Sequence, residues 1–227
     1  MPESPDVTGT ITGITGWHES PAVRQAFEVG WRAGFIGDAP LDDQIAHALG
    51  FAGVVDDVGE GSPAVVVDLG SGGGLPALVL IEWWSTTRFV LVEAQERRAE
   101  RLQSVVDTTG TGGRVTVVHE RAEVVGHERA WRGACDVVTA RSFGKPAVTA
   151  ECAAPFLRVG GLRVVSEPPT DVDRRRWPEA GCAELGLEPL RAVRVDDRFG
   201  YQVLIQRTTC PERFARRTGV PAKRPLF

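Results

Sequence analysis

The chain is poor in several residue types, and each shortage narrows what the protein can be. Its 227 residues include one methionine, one tyrosine, four cysteines and four histidines. The cysteines form no C-x-x-C pair and the histidines form no H-E-x-x-H motif, so the sequence predicts neither a structural zinc site nor any other metal centre. The four scattered cysteines are Cys135, Cys152, Cys182 and Cys210. Such usage is typical of a reducing compartment.

Long apolar runs and a positive net charge are also missing. No apolar segment is long enough to span a bilayer, and residues 1–17 carry acids, proline, glycine and threonine where a signal peptide has its apolar core. We therefore expect a soluble, cytoplasmic protein without membrane contact. The 26 basic residues, of which only Lys145 and Lys223 are lysines, face 30 acidic ones, and the net charge is −4. Any contact with nucleic acid must come from a local basic patch.

The chain does contain a regular alternation of strand and helix patterns. Strands are predicted at 65–69, 88–93, 114–118, 134–140, 160–166, 190–195 and 200–207, and helices near 74–84, 95–109, 121–130, 146–157 and 172–186. This order predicts a doubly wound, seven-stranded, mainly parallel sheet of the α/β class. The last two strands are joined by residues 196–200, too short a link for a crossover helix, so they are expected to form an antiparallel hairpin at one edge.

The composition also suggests how the chain is divided. Residues 1–20 are punctuated by proline, glycine, serine and threonine and predict a flexible lead. Residues 21–60 have helical patterning and predict a helical extension of a single domain that covers 21–227. Its core would span 61–207, and a basic tail would follow at 208–227. We expect a monomer.

A glycine-rich loop is the most informative motif. Val65 to Leu69 form a buried-strand pattern that contains Asp68, and glycines follow at alternate positions. The spacing of Asp68, Gly70, Gly72 and Gly74 resembles the first motif of enzymes that use S-adenosylmethionine (SAM) to transfer methyl groups. A dinucleotide loop would need its third glycine where Leu75 stands. The alternative is a glycine-rich turn that binds no ligand.

A carboxylate ends the second predicted strand. Glu93 follows the apolar run Phe89 to Val92, at the sheet edge where α/β proteins bind ligands. A carboxylate there can accept hydrogen bonds from both ribose hydroxyls of a nucleotide cofactor. The alternative is a charge that stabilises the N-terminus of the following helix.

An ordered set of motifs sharpens this to a family. The motifs are Asp68 to Pro76, Val92-Glu93 with Arg97-Arg98, Arg121 to Glu123, Asp136 to Arg141, and the basic, proline-bounded tail from Pro211 to Leu226. Together they resemble the GidB/RsmG family of small-subunit ribosomal RNA methyltransferases. The resemblance implies a class I methyltransferase fold, SAM as cofactor, and methylation of ring nitrogen 7 (N7) of a guanine in small-subunit (16S) rRNA.

The resemblance also implies roles for individual residues. The cofactor-binding set would be Asp68, Gly70, Ser71, Gly72, Gly74, Leu75, Glu93, Ala122, Glu123 and Arg141. Glu93 would bind the ribose, Ala122 and Glu123 the adenine, and Arg141 would face the reaction as the catalytic residue. Alternatively, Ala122-Glu123 is only the first turn of a helix, and Arg141 is a surface arginine.

Because the net charge is negative, contact with RNA would need a local basic patch, and the tail is the candidate for it. The family implies that Arg216, Arg217 and Lys223 bind RNA; the alternative is a solvated basic tail. Another basic run, Arg174 to Arg176, is interpreted as a solvated helix face.

One departure from the family bears on the substrate. After the fifth predicted strand the family carries a lysine, whereas this chain has Glu167. If that lysine contacts a phosphate or the substrate base in the family, Glu167 would repel RNA at the same place. Two other functions therefore stay open: a SAM-dependent methyltransferase recruited to a small molecule or another nucleic acid, and a non-catalytic module that binds SAM or RNA.

Overall fold

The computed structural model describes residues 8–11, 14, 19–59, 61–168 and 174–227, and within them one mixed sheet carries helices on both faces. The strands are β1 (Thr8–Ile11), β2 (Val65–Leu69), β3 (Arg88–Glu93), β4 (Val115–His119), β5 (Cys135–Ala140), β6 (Leu157–Glu167), β7 (Leu187–Val195) and β8 (Phe199–Gln206). The helices are α1 (Pro21–Arg32), α2 (Leu41–Val58), α3 (Ala77–Trp83), α4 (Glu96–Thr109), α5 (Ala122–Val125), α6 (Pro146–Ala153), α7 (Glu179–Ala183) and α8 (Val220–Lys223). Short 3₁₀ turns cover Ala154–Phe156 and Arg174–Arg176.

The strands follow the order β1-β7-β8-β6-β5-β2-β3-β4. β8 is antiparallel to both of its neighbours, and the other pairings are parallel. The carboxyl ends of β2, β3, β5 and β6 therefore meet at one edge. In open α/β sheets this edge is where ligands bind.

Alternate residues of the central strands supply two separate cores. Val66 and Phe89 pack with α1 to α4 on one face, while Val67 and Val90 pack with α5 to α7 on the other. β-branched residues suit this environment because both faces of a central parallel strand are buried. The edge that carries the ligand-binding loops thus stands on a well-packed base.

The seven predicted strands are all present, but the count and the edge were wrong. An eighth strand, β1, pairs in parallel with β7, so the β7–β8 hairpin does not form the sheet edge. Most of the predicted flexible lead, 1–20, lies outside the described residues, but its segment Thr8–Ile11 is a strand. The helix predicted at 121–130 shortens to α5. The one predicted at 172–186 becomes a 3₁₀ turn and α7, and residues 172–173 lie outside the described part.

The helical extension is fastened to the glycine-rich loop. Arg101 of α4 donates hydrogen bonds to the carbonyl oxygens of Ala26 in α1 and, at 3.1 Å, Gly73 in the loop. A single half-buried side chain therefore joins three segments of the chain. No helix within the described ranges is long and apolar enough to cross a membrane.

Candidate functional site: a glycine-rich cofactor cavity beside an acceptor cavity

The loop after β2 turns through three glycines with positive φ. The angles are 66° at Gly70, 52° at Gly72 and 97° at Gly74, a region that other residues rarely adopt. A Cβ on Gly70 would meet the Phe143 ring at 2.8 Å, and one on Gly74 would lie 2.5 Å from Leu78. A Cβ on Gly72 meets nothing closer than 3.5 Å. Gly74 therefore serves packing, whereas a Cβ on Gly72 would make only ordinary van der Waals contacts.

Glu93 closes this loop from the end of β3. One carboxylate oxygen accepts the Gly72 N–H at 2.8 Å and the other accepts the Gln95 N–H at 2.8 Å. The side chain is almost fully buried. Each oxygen still has acceptor capacity, because a carboxylate oxygen can take more than one hydrogen bond. Glu93 thus presents a paired acceptor toward the space beside Gly72.

Two adjoining cavities collect most of the predicted cofactor residues. A cavity of about 270 Å³ is lined by Gly70, Ser71, Gly72, Leu75 and Arg141 together with Phe35 to Gly37 and Gln44 of the extension. A second, of about 410 Å³, is lined by Gly70, Glu93, Ala122 and Glu123 together with Ser142 to Lys145. Gly70, Arg98 and Ser142 border both, so the two form one elongated cleft. Asp68 and Gly74 line neither cavity.

Asp68 lies beneath the loop as a buried acid. One carboxylate oxygen accepts a hydrogen bond from the Thr139 hydroxyl at 2.6 Å, and the other has no hydrogen-bond partner within the described part of the chain. Burial raises the pKa of Asp68 to about 6, although hydrogen bonds from Thr139 and Ser71 oppose the shift. The group is therefore mostly ionised at neutral pH and places a negative charge under the cleft.

The C-terminal tail folds against the cleft. Glu123 of α5 accepts the Gly219 N–H at 3.0 Å and a hydrogen bond from Arg121 at 3.2 Å. Burial acts to raise the pKa of Glu123, but these hydrogen bonds outweigh it and the pKa is lowered. Three residues after Gly219, Ala222 forms part of the wall of the larger cofactor cavity.

Arg216 and Arg217 point to different partners. Arg216 binds the fully buried Glu151 through Nε at 2.8 Å and Nη2 at 2.6 Å, and Nη2 also donates to the Arg224 carbonyl. These bonds make Arg216, which the sequence assigned to RNA, an anchor of the tail. Arg217 and Lys223 are exposed, and within the described residues their side chains make no hydrogen bond or ion pair.

Arg141 stands between the cofactor cleft and a third cavity. It directly follows β5, and its guanidinium donates a hydrogen bond to the Gln44 side chain at 2.9 Å. Burial lowers the pKa of Arg141, while Tyr201 and Asp68 act to raise it. The third cavity, of about 480 Å³, lies on the other side of Arg141 and includes Gln44, His47, Ser166 and three aromatic side chains, Phe143, Trp177 and Phe199. We call it the acceptor cavity.

His47 is held neutral in the wall of the acceptor cavity. Burial, together with the nearby positive charge of Arg141, lowers the pKa of His47 to about 3. Its ring stacks on Tyr201 and meets Phe199 edge-on. This histidine contributes an aromatic surface to the cavity and no charge.

The expectation that Glu167 repels RNA needs correction. Glu167 is buried at the end of β6, where it accepts the Trp177 indole N–H at 3.0 Å and pairs with Arg176 Nε at 2.9 Å. Arg176 comes from the run interpreted as a solvated helix face, yet it lines the acceptor cavity. The negative charge of Glu167 is therefore compensated within the protein.

Several residues around these cavities carry no sequence signal. Phe35 to Gly37 and Gln44 come from the extension, and Trp177 and Phe199 come from segments far along the chain. A lone glutamine in an amphipathic helix has no motif that would mark it as a ligand of Arg141. Over the ranges that the structure covers, no group of three or more His, Cys, Asp or Glu side chains could hold a metal ion.

Known structures share this fold at low sequence identity. Cofactor-bound Rv0187 from MTB superposes with a TM-score of 0.61 and 20% identity, covering 84% of this chain and 92% of that one. The O-methyltransferase TomG from Streptomyces achromogenes, in complex with SAM, gives a TM-score of 0.60 and 17% identity over 84% and 92%. The fold is that of class I SAM-dependent methyltransferases.

Comparison of sequences identifies the family, whereas the structural neighbours show only the fold. Two similar proteins, both named ribosomal RNA small subunit methyltransferase G, come from Rubrobacter xylanophilus and Symbiobacterium thermophilum. The first is 37% identical over 71% of this chain and 64% of its own length. The second is 34% identical over 82% and 80%. The profile of the GidB family, described as rRNA small subunit methyltransferase G, matches residues 41–189. On these matches and its fold, the chain belongs to the GidB family.

Proposed function

We propose that the protein transfers a methyl group from SAM to N7 of a guanine in small-subunit (16S) rRNA. It would act in the cytoplasm as a monomer, with residues 21–227 working as one methyltransferase domain: the extension at 21–60, the cofactor-binding core at 61–207 and the basic tail at 208–227. The observation that carries the proposal is the contact between the cofactor cleft and the acceptor cavity across Arg141.

The cleft fits SAM on three counts. Gly72 lines the cavity of about 270 Å³, and the lack of a side chain lets its backbone approach a ligand closely. Glu93 offers paired acceptors suited to two ribose hydroxyls. The unpartnered oxygen of buried Asp68 supplies negative charge near a cofactor that carries a sulfonium and an ammonium group. Ala122, with its short side chain, and Glu123 would then face the adenine.

The chemistry asks mainly for alignment. When bound, SAM supplies a sulfonium methyl group that a nucleophile can take directly. Guanine N7 has a lone pair and no proton, so the N–C bond forms as the C–S bond breaks, its electrons go to sulfur, and no general base is needed. Positioning alone can lower such a barrier by ~7–11 kcal/mol. Arg141 would hold the guanine by donating to O6, beside the reacting nitrogen.

The acceptor cavity suits a planar base. Phe143, Trp177 and Phe199 offer aromatic surfaces of the kind on which unstacked RNA bases stack. Arg141 and Gln44 supply polar groups at the end next to the cofactor. The cavity therefore supports a flipped nucleotide as the acceptor, with the rest of the RNA running outside.

The tail provides a contact with the RNA backbone, and its paired arginines allow a matched test. We expect Arg217→Ala to weaken RNA binding and to reduce the slope of log affinity against log salt by about one, because a phosphate contact is lost. Thermal stability should not change. Arg216→Ala should lower thermal stability, because it leaves Glu151 buried without its partner. Equal effects of the two variants on salt dependence would contradict this division.

Asp68 predicts a pH dependence of cofactor affinity. As pH falls through about 6, the carboxyl group becomes protonated and its negative charge is lost. The affinity for cationic SAM should therefore fall between pH 7.5 and pH 5, measured by calorimetry. Asp68→Asn should bind SAM more weakly at pH 7.5 and should lose this pH dependence.

The ionisation of Asp68 should affect folding stability in the opposite direction to SAM affinity: stability should rise as pH falls. A carboxyl group whose folded-state pKa lies above its unfolded value of 3.8 contributes stability that is full below pH 3.8 and is lost as pH rises through about 6. Asp68→Asn should therefore be more stable than the parent protein at neutral pH. A variant that is both less stable and unchanged in SAM affinity would contradict the assignment.

The function is tested by methyl transfer. Purified protein and radiolabelled SAM are incubated with small ribosomal subunits from a strain that lacks this protein, and the nucleosides are then analysed. Label in 7-methylguanosine is expected. Absence of label, with SAM binding confirmed in the same preparation, would overturn the rRNA assignment and favour another acceptor.

A further inference from the structure

The wall of the acceptor cavity opposite α2 contains a compact cluster of charge and aromatic surface. The cluster consists of Arg163, Glu167, Arg176 and Trp177. Arg163 is fully buried, makes no hydrogen bond to any residue that the structure describes, and lies over the Trp177 ring at 4.5 Å. Glu167 contacts both Trp177 and Arg176. A buried carboxylate thus stands among two arginines and an indole N–H.

The balance of charge decides what this cluster presents to a ligand. The Glu167 side chain is only 3% exposed, whereas that of Arg176 is 37% exposed. The carboxylate is therefore turned into the protein, and the guanidinium is the charged group that reaches the cavity. Arg176 Nε lies 2.9 Å from a Glu167 carboxylate oxygen in an ion pair rather than a hydrogen bond, and this contact leaves the terminal Nη groups of Arg176 to donate elsewhere. Guanidinium groups held in this way bind phosphate oxygens strongly.

We propose that Glu167 and Arg176 form a positioning pair in which Glu167 holds Arg176 at the wall of the acceptor cavity, and Arg176 binds the phosphate of the acceptor nucleotide. This inference rests on the proposed function. It assigns Arg176 to substrate binding and Glu167 to positioning, since Glu167 acts through its neighbour. The anion that stands next to the cavity in the sequence therefore supports RNA binding.

The test combines single and double variants in the full-length protein. Arg176→Gln should raise the KM for small ribosomal subunits about tenfold and lower the salt slope of RNA binding by about one. SAM affinity should not change. Glu167→Gln should raise the KM less, because its amide can still accept the Trp177 N–H, and the double variant should match Arg176→Gln alone in the salt slope, because Glu167 acts on the phosphate through Arg176.

Two further variants keep the result interpretable. Arg207→Gln removes an arginine from a solvent-exposed pair with Glu188 and should leave the KM at the parent value. Arg176→Lys keeps the positive charge, so its KM should lie between those of the parent protein and Arg176→Gln. If the glutamine variant folds poorly, the lysine variant still tests the inference. An Arg176→Gln protein that folds and has the parent KM and salt slope would overturn the inference, as would additive effects in the double variant.

The outcome separates this inference from the proposed function. If the parent protein transfers no methyl group to rRNA, the proposed function fails. If the parent protein is active and the Arg176 variants match it, only the positioning pair fails.

Discussion

Replacing Gly72 with valine is expected to abolish detectable SAM binding while the sheet remains folded. The new side chain would enter the space between Arg98 and Glu93. A Cβ at this position would lie 3.7 Å from an Arg98 guanidinium nitrogen and 3.9 Å from a Glu93 carboxylate oxygen, and the valine methyl groups would extend further. It would also strain a residue at a φ of 52° and disturb the Gly72–Glu93 hydrogen bond. We expect a loss of at least about 100-fold in affinity, close to 3 kcal/mol, by calorimetry.

Gly110→Val is the matched control for that experiment. Gly110 has a φ of 68° at the C-terminal end of α4, and a Cβ there meets nothing within 4 Å. The substitution imposes similar backbone strain away from the cleft. It should lower stability and keep SAM affinity. Parent-like affinity in the Gly72 variant would refute the location of the cofactor site.

Glu167→Lys is expected to destabilise the protein and to bring no gain in RNA affinity. The lysine would be buried beside Arg163 and Arg176, and three cations would then share a site that now contains a carboxylate. Breaking a buried ion pair typically costs about 3–5 kcal/mol, and like charges add to this. Urea denaturation should show a lower midpoint and a smaller free energy of unfolding extrapolated to water.

Glu167→Gln separates charge from shape at this position. The amide oxygen can still accept the Trp177 N–H, so the fold should survive with a smaller loss. A lysine variant with the parent midpoint and tighter RNA binding would instead mean that position 167 faces the RNA directly.

Most of the sheet could be predicted because its central strands have a distinct residue pattern in the sequence. β2, β3 and β5 are rich in valine and other apolar residues and are buried on both faces, so their sequences differ sharply from the loops around them. β1 escaped prediction because four residues among glycines and threonines carry little pattern. Its strand conformation comes from pairing with β7, which is a tertiary effect.

The site divides in the same way. Glu93 and the glycines could be proposed as cofactor ligands from the sequence because local motifs mark the ends of strands. The roles of Glu167 and Arg216 could not, because their charge partners are separated along the chain. Arg216 meets Glu151 across 65 residues, and Glu167 meets a turn whose pattern suggested solvent. The sequence shows that these side chains are charged, but only the folded structure shows which residues they pair with.

The pairing of β1 with β7 also bears on solubility. β7 would otherwise end the sheet with a row of unpaired backbone N–H and C=O groups over Leu187–Val195, a ready template for another chain. Residues Thr8–Ile11 cover part of that row. A protein shortened to begin at Ser20 would keep every residue of the cofactor cleft described above and would uncover this edge, so self-association through β7 would be its main liability.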